Sequence, residues 1–403
     1  ELIRELSREM EKPVAVLLDL QGPKIRTGDL IDGKPVQLKN KETFKITRNL
    51  VAGTEKIVST TYQNLPKDVK AGDRILIDDG LIELKVFSKS KDTVMTKVVV
   101  GGLLKEHKGI NLPGVDVTAP SLTKKDREDL EFGIKADVDY FALSFVRKAA
   151  DLKQIKAIIK RKKSNIPVIA KIEKPEAVEN IDSIIEQADA IMVARGDLGV
   201  EMSPELVPTI QKQIISKTIS ANKPVITATQ MLETMTDNAV PTRAEASDVA
   251  NAIFDGTDAV MLSAETASGK YPVKAVQMMS RIAAQAESSP FMKYNWQYEK
   301  DPKNLVVHAI AQSAVNIHHE VNARAIMAFS VSGKTAKLIS KQRPASPIYA
   351  FSPSRQIFDR LSLVWGITPL MIKPIHTEKE LIEAGEKIIV RRKFVKRDDL
   401  DII

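Results

Sequence analysis

With 403 residues, 43% hydrophobic, 28% charged and no cysteine, the chain is sized for two or three domains with real cores, and disulfide scaffolds, thiol catalysis, thiolate zinc and iron–sulfur clusters are excluded. Sixty Lys plus Arg against 52 Asp plus Glu give a formal charge of +8, which solubility accounts for, and aromatics at 5% are too few and scattered for a nucleic-acid surface. No apolar run approaches the roughly 18 to 20 residues that span a bilayer, and Glu1 opens no signal-like segment, so the expectation is a cytoplasmic protein with no membrane or nucleic-acid partner.

In chain order, the first strong signal is the apolar run Pro13 to Leu18 ending at Asp19, as expected of a strand buried on both faces. Similar runs recur at Val138 to Phe145, Pro167 to Ile172, Ala188 to Ala194, Pro224 to Ala228 and Ala259 to Leu262, each followed by a helical pattern, which makes six βα units. Between the first and second, from about Gly28 to Thr118, the period changes to alternation (Val36/Leu38, Phe44/Ile46, Ile82/Leu84/Val86), which predicts a separate β domain. Asp79-Gly80 fits a tight hairpin there. Pro272 suits a first helical turn, Pro290 to Lys303 breaks the pattern, and a third, α/β domain follows with strands near Ala325 to Phe329, Ile348 to Phe351 and Ile367 to Met371. A doubly wound sheet and a closed barrel both accommodate six buried parallel strands, and periodicity leaves the choice open.

In either architecture chemistry sits at the carboxyl ends of the strands, and those ends are unusually polar here. Lys171 and Glu173, two apart, point to one face, and Asp197 ends the next strand beside Gly196. With five histidines in no clamp-like spacing, any metal is expected on oxygen, which favours magnesium, manganese or calcium. Two carboxylates from adjacent strands can hold such an ion and leave positions for substrate, and a lysine beside it suits phosphoryl transfer, where catalysis is largely fixed positive charge. Thr229 and Ser263 are hydroxyls at further strand ends, equally suited to capping a helix.

The runs Leu18-Asp-Leu-Gln-Gly-Pro-Lys-Ile-Arg-Thr27, Ile169-Ala-Lys-Ile-Glu173, Ile191-Met-Val-Ala-Arg-Gly-Asp-Leu-Gly199, Lys223-Pro-Val-Ile-Thr-Ala-Thr-Gln-Met-Leu-Glu233, Pro241-Thr-Arg-Ala-Glu245 and Met261-Leu-Ser-Ala-Glu-Thr266 stand in order along most of the chain. In them the sequence resembles the pyruvate kinases. The resemblance implies an α/β fold built on a (β/α)8 TIM barrel whose first two strands are absent from this chain (residues 1–27 and 119–288). It further implies an inserted β-barrel lid (28–118) and a C-terminal α/β regulatory domain (289–403). It implies phosphoryl transfer from phosphoenolpyruvate to ADP in a cytoplasmic, allosterically regulated homotetramer that uses Mg2+ or Mn2+.

By the same resemblance Lys171, Thr229 and Ser263 are catalytic, and Lys171, Arg195, Gly196, Asp197 and Thr229 bind substrate. Glu173 and Asp197 bind the metal, while Arg26 and Lys108, the latter in Lys108-Gly-Ile-Asn-Leu-Pro113, contact the nucleotide. Ser330, Ser332, Gly333, Lys334 and Thr335 form a loop for the phosphate of a sugar phosphate or AMP effector. Lys24 replaces the glutamate that many members carry, and Leu20 and Gln21 match the lysine-bearing subset, which implies that K+ is not required. Lys24 with Asp19 then stands in for the monovalent-cation site. An arginine and an Asn-Phe-Ser-His stretch of the family's second barrel strand are not in this sequence, so the chain by itself is expected to be poorly active. The rival enzyme reading is a magnesium-dependent enolate-forming lyase or aldolase on the same barrel, which needs no second anionic substrate.

Overall fold

The structure, a computed structural model, describes residues 1–292, 305–375, 377–397 and 399–403. Most of the expected pattern break at Pro290 to Lys303 lies outside the described residues. After a helix at Leu2–Glu9 the chain enters β1 (Leu17–Leu20) and then an all-β segment. That segment comprises β2 (Val36–Leu38), β3 (Thr43–Thr47), β4 (Ile57–Ser59), β5 (Arg74–Ile77), β6 (Ile82–Lys89), β7 (Thr93–Val100), β8 (Gly102–Leu104) and β9 (Ile110–Asn111). The chain returns with β10 (Tyr140–Leu143), β11 (Val168–Ile172), β12 (Ala190–Ala194), β13 (Val225–Ala228) and β14 (Ala259–Met261).

These last five strands and β1 form one parallel sheet in the order β1-β10-β11-β12-β13-β14. Strand order follows chain order with no reversal, which is the winding of a (β/α) barrel and not of a doubly wound sheet, whose order turns back at a switch point. Topology therefore resolves what periodicity left open, and six of a barrel's eight strands are described. The pleat explains the continuous apolar runs: Tyr140, Ala142, Ile169, Ala190 and Met192 meet on the inner face, while Phe141, Leu143, Val168, Ile191 and Val193 pack outward against helices.

The inserted segment has its own core around Phe44, Ile46, Ile75, Ile77 and Leu84, with a six-stranded sheet ordered β4-β3-β7-β6-β5-β9 and a β2-β8 pair. The hairpin expected at Asp79-Gly80 joins β5 to β6, but Ile77 pairs with Ile82, so the turn takes four residues. Asp78, Asp79 and Gly80 all have positive φ, and Asp78 N–H donates to the Gly109 carbonyl, which draws the turn toward the neighbouring connector.

Beyond the helix Pro272–Glu287, the third unit carries β15 (Ala325–Phe329), β16 (Ile348–Ser352), β17 (Ile367–Met371) and β18 (Asp401–Ile402), all parallel, in the order β17-β16-β15-β18. It is fastened to the N-terminal ends of the barrel strands. Lys341 Nζ lies 2.6 Å from Asp258 Oδ2, both side chains wholly buried, Arg343 donates to the Gly256 carbonyl at 2.5 Å, and Tyr140 OH donates to the Arg360 carbonyl at 2.9 Å. Among the described residues no helix is long and apolar enough to cross a membrane.

Candidate active site

Lys171, on β11, is held at the carboxyl end of the sheet by three neighbours: Glu173 Oε1 at 2.9 Å, Asp19 Oδ2 at 3.1 Å and Ser144 Oγ at 2.9 Å. Strand register accounts for the meeting, because β1, β10 and β11 are adjacent and each ends here. Burial works against the Lys171 charge, but Glu173 and Asp19 outweigh it and its pKa is raised. Glu173 is almost wholly buried, and its Oε2 accepts the Phe145 N–H at 2.6 Å. Phe145 has φ 53°, a left-handed conformation of the kind retained at functional sites.

The two candidate metal ligands are electrostatically linked. Burial raises the Glu173 pKa, Lys171 opposes, and the charge of Asp197 raises it further. Asp197 is likewise raised by burial, with Lys171 and Lys24 opposing and Asp79 and Glu201 adding to the rise. Two desolvated carboxylates that resist joint ionisation are a fitting pair for a hard divalent cation, which would relieve both. No three His, Asp or Glu side chains converge among the described residues, so such an ion would complete its shell with water and substrate oxygens, as magnesium does.

Asp197 lies in the first turn of the short helix Arg195–Glu201 that follows β12. Gly196 N–H donates to Thr229 Oγ1 at 2.7 Å, so the substrate candidates Gly196, Asp197 and Thr229 are brought together across β12 and β13. Thr229 and Gln230 both have positive φ (67° and 53°), and for a β-branched threonine that is an outlier. The buried Arg195 guanidinium pins this turn, donating to the Thr229 carbonyl at 2.8 Å and the Gln230 carbonyl at 3.0 Å while pairing with Asp248 at 2.7 Å. Its guanidinium is thereby engaged by this turn and by Asp248. Ser263 follows β14; its N–H donates to Glu265 Oε2 at 2.6 Å, and Glu265 also receives Leu232 N–H at 3.1 Å, joining the segments that follow β13 and β14.

Lys24, Arg26, Lys108 and Asp197 line one cavity of about 290 Å³ between the barrel and the inserted β unit. Arg26 donates to the His107 carbonyl at 2.7 Å, and Lys108 pairs with Asp78 at 2.8 Å. The connectors leaving and re-entering the barrel run side by side, with Thr27 N–H on the Lys108 carbonyl and Ile110 N–H on the Ile25 carbonyl. Across the same cavity Asn111 Nδ2 donates to Glu201 Oε1 at 2.9 Å, and Lys174 pairs with that oxygen at 2.6 Å. Ser144, Glu201, Asn111 and Asp248 were not singled out from sequence; only Ser144 carried a signal, as a polar residue on a strand end. In the third unit Ser330 closes β15, Gly333 is left-handed (φ 77°), and the helix Lys334–Lys341 follows it.

Comparison with known proteins gives a consistent result. Residues 1–276 match the family described as pyruvate kinase, barrel domain, and residues 308–403 match pyruvate kinase, alpha/beta domain. The chain is 45% identical over 405 residues to a pyruvate kinase of Geobacillus stearothermophilus, covering 100% of this chain and 69% of that one. It is 44% identical to pyruvate kinase 2 of Synechocystis over 407 residues, covering 100% and 68%. A crystal structure of a pyruvate kinase from Cryptosporidium parvum superposes with a TM-score of 0.92 at 39% identity, covering 99% of this chain and 83% of that one.

Proposed function

This chain belongs to the pyruvate kinase family, and from that premise we propose how its residues divide the work of moving a phosphoryl group from phosphoenolpyruvate to ADP, giving pyruvate and ATP. The observation that carries the reading is the Lys171 amine, fixed by Glu173, Asp19 and Ser144 beside Asp197. A transferring phosphoryl group is close to metaphosphate with charge spread over its oxygens, so a preorganised ammonium stabilises it without reorganising at the moment of reaction. Gly196, Asp197 and Thr229 orient the three-carbon acid, and the Thr229 hydroxyl with water delivers the proton to the enolate carbon, with Ser263 replenishing it. Arg195 binds through its main chain and holds the turn that presents Thr229.

The family generally uses a divalent metal, and Glu173 with Asp197 would hold Mg2+ or Mn2+, which when bound neutralises developing oxygen charge. Arg26 and Lys108 take the nucleotide phosphates, Lys108 exchanging Asp78 for them, and closure of the lid excludes water. Lys24 supplies a fixed positive charge near Asp197, so that K+ is not required. We further read residues 1–27 and 119–288 as barrel, 28–118 as lid and 289–403 as regulatory domain. The enzyme is cytoplasmic and homotetrameric, with the loop of Ser330, Ser332, Gly333, Lys334 and Thr335 taking the phosphate of a sugar phosphate or AMP. The lyase reading is not favoured, because Arg26 and Lys108 share the Asp197 cavity and provide for a second anionic substrate.

The test is turnover of phosphoenolpyruvate and ADP with magnesium by the full-length enzyme. Lys171→Met should lose orders of magnitude in kcat while still binding metal; a variant with near-normal turnover would remove Lys171 from the mechanism. In potassium-free buffer the wild type should retain activity and Lys24→Glu should become potassium-dependent. Strict dependence of the wild type would refute the role of Lys24.

A further inference from the structure

The inserted β unit meets the barrel through more than its connectors. Asn111, the last residue of β9, donates from Nδ2 to Glu201 Oε1 at 2.9 Å, and the same oxygen takes Lys174 Nζ at 2.6 Å. Glu201 is 4% exposed, and its other oxygen is buried with no hydrogen-bond partner among the described residues. Lys174 is largely enclosed as well, with its ammonium 5.9 Å from the centre of the Phe145 ring.

The chain positions of the pair tie it to the active site. Lys174 directly follows Glu173 and precedes the helix Pro175–Glu179. Glu201 closes the helix Arg195–Glu201, four residues beyond Asp197, and positions i and i+4 share a helix face. One ion pair therefore joins the two segments that carry the acidic pair of the site, and Asn111 brings the inserted unit to that joint. Asn111 is part of a sheet, because β9 pairs with β5, Leu76 opposite Asn111 and Ile77 opposite Ile110. Lys108 stands three residues before it and lines the same cavity as Glu201, Lys174 and Asp197.

A buried ion pair with an unsatisfied oxygen contributes little to stability over apolar side chains of the same volume. As an acceptor, however, a carboxylate makes hydrogen bonds about twice as strong as a neutral group does. We propose that Glu201 is a positioning residue for nucleotide binding: held by Lys174, it takes the Asn111 amide and so fixes where the inserted unit, with Lys108, comes to rest over the cavity. This rests on the reading of Lys108 as a contact to the nucleotide phosphates. A nucleotide that needs the docked unit loses affinity in proportion to the undocked fraction, and at saturation it restores docking by binding. Loss of the catch therefore falls on KM for ADP and not on kcat.

Steady-state kinetics and calorimetric titration with ADP, both on the full-length enzyme, test this. Asn111→Ala should raise KM and Kd for ADP about tenfold, the worth of a hydrogen bond to a charged group, with kcat and KM for phosphoenolpyruvate within about twofold of wild type. Asn111→Asp, though nearly isosteric, should be worse than Asn111→Ala, because it sets a carboxylate against Glu201; a residue that only fills space in β9 would give the reverse order. Glu201→Gln should itself weaken ADP, and adding Asn111→Ala to it should cost little more. Lys108→Met separates the two readings. If it leaves ADP affinity unchanged, the nucleotide role of Lys108 falls and the catch with it, whereas a loss in Lys108→Met with none in Asn111→Ala overturns the catch alone. A lower kcat at unchanged KM for ADP, an Asn111→Ala variant worse than Asn111→Asp, or full additivity of the Asn111 and Glu201 changes would also overturn it. If Glu201→Gln folds poorly, the order of the two Asn111 variants decides.

Discussion

Glu173 and Asp197 illustrate how a site is tuned by where it is buried. Each carboxyl is lifted above its ordinary range chiefly by desolvation, and each feels nearby negative charge, while Lys171 pulls both back toward ionisation. A carboxyl whose proton affinity is higher in the fold than in the unfolded chain stabilises the metal-free fold at low pH, and that contribution is lost as the pH rises through the folded pKa. A divalent cation binds only the ionised pair, so its binding should release protons and weaken as the pH falls through the raised values. Titration of Mn2+ in two buffers of different ionisation enthalpy should show this release at mildly acidic pH, and a proton-independent affinity would contradict it. Lys171 itself stays charged throughout, because its two anionic neighbours outweigh its burial.

At the scale of elements, the turn after β13 depends on a residue that sits after β12. Arg195 grips the carbonyls of Thr229 and Gln230 in a left-handed conformation that neither side chain favours, and Asp248 orients the guanidinium from a helix. Arg195→Met should lower kcat by about a hundredfold through misplacement of Thr229, with metal affinity retained. Arg195→Lys should recover little of it, since an ammonium cannot reproduce the planar fork; full recovery would mean that charge alone matters. The six barrel strands were legible because strands buried on both faces leave unbroken apolar runs, and β10 to β14 fall within the runs read for them. Their polar ends pointed to Lys171, Glu173, Asp197 and Thr229 for the same reason. What could not be read was set by distant partners: the four-residue turn at Asp78 to Leu81 follows the Gly109 carbonyl, and Glu201 gains its meaning from Asn111 and Lys174. Strand β18 is two residues long, too short for any period.

For the molecule as a whole, Asp258 is the point where barrel and third unit are joined most tightly. It sits just before β14 with its side chain wholly buried, takes Val225 N–H at 2.8 Å, and faces Lys341 and Arg343. Burial pushes the Lys341 amine down to about 8 even with Asp258 beside it. Removing the anion should therefore be costly: Asp258→Asn is expected to destabilise the fold by about 3 kcal/mol, read as a lower urea midpoint, and a midpoint within error of wild type would show that the pair is dispensable. The active site, at the other end of the same strands, faces the inserted β unit, whose outgoing and returning connectors hydrogen-bond to each other and carry Arg26 and Lys108 respectively. Were that unit to swing, two connectors bonded to each other would travel as one strap, so the spacing of its two cations should survive the movement.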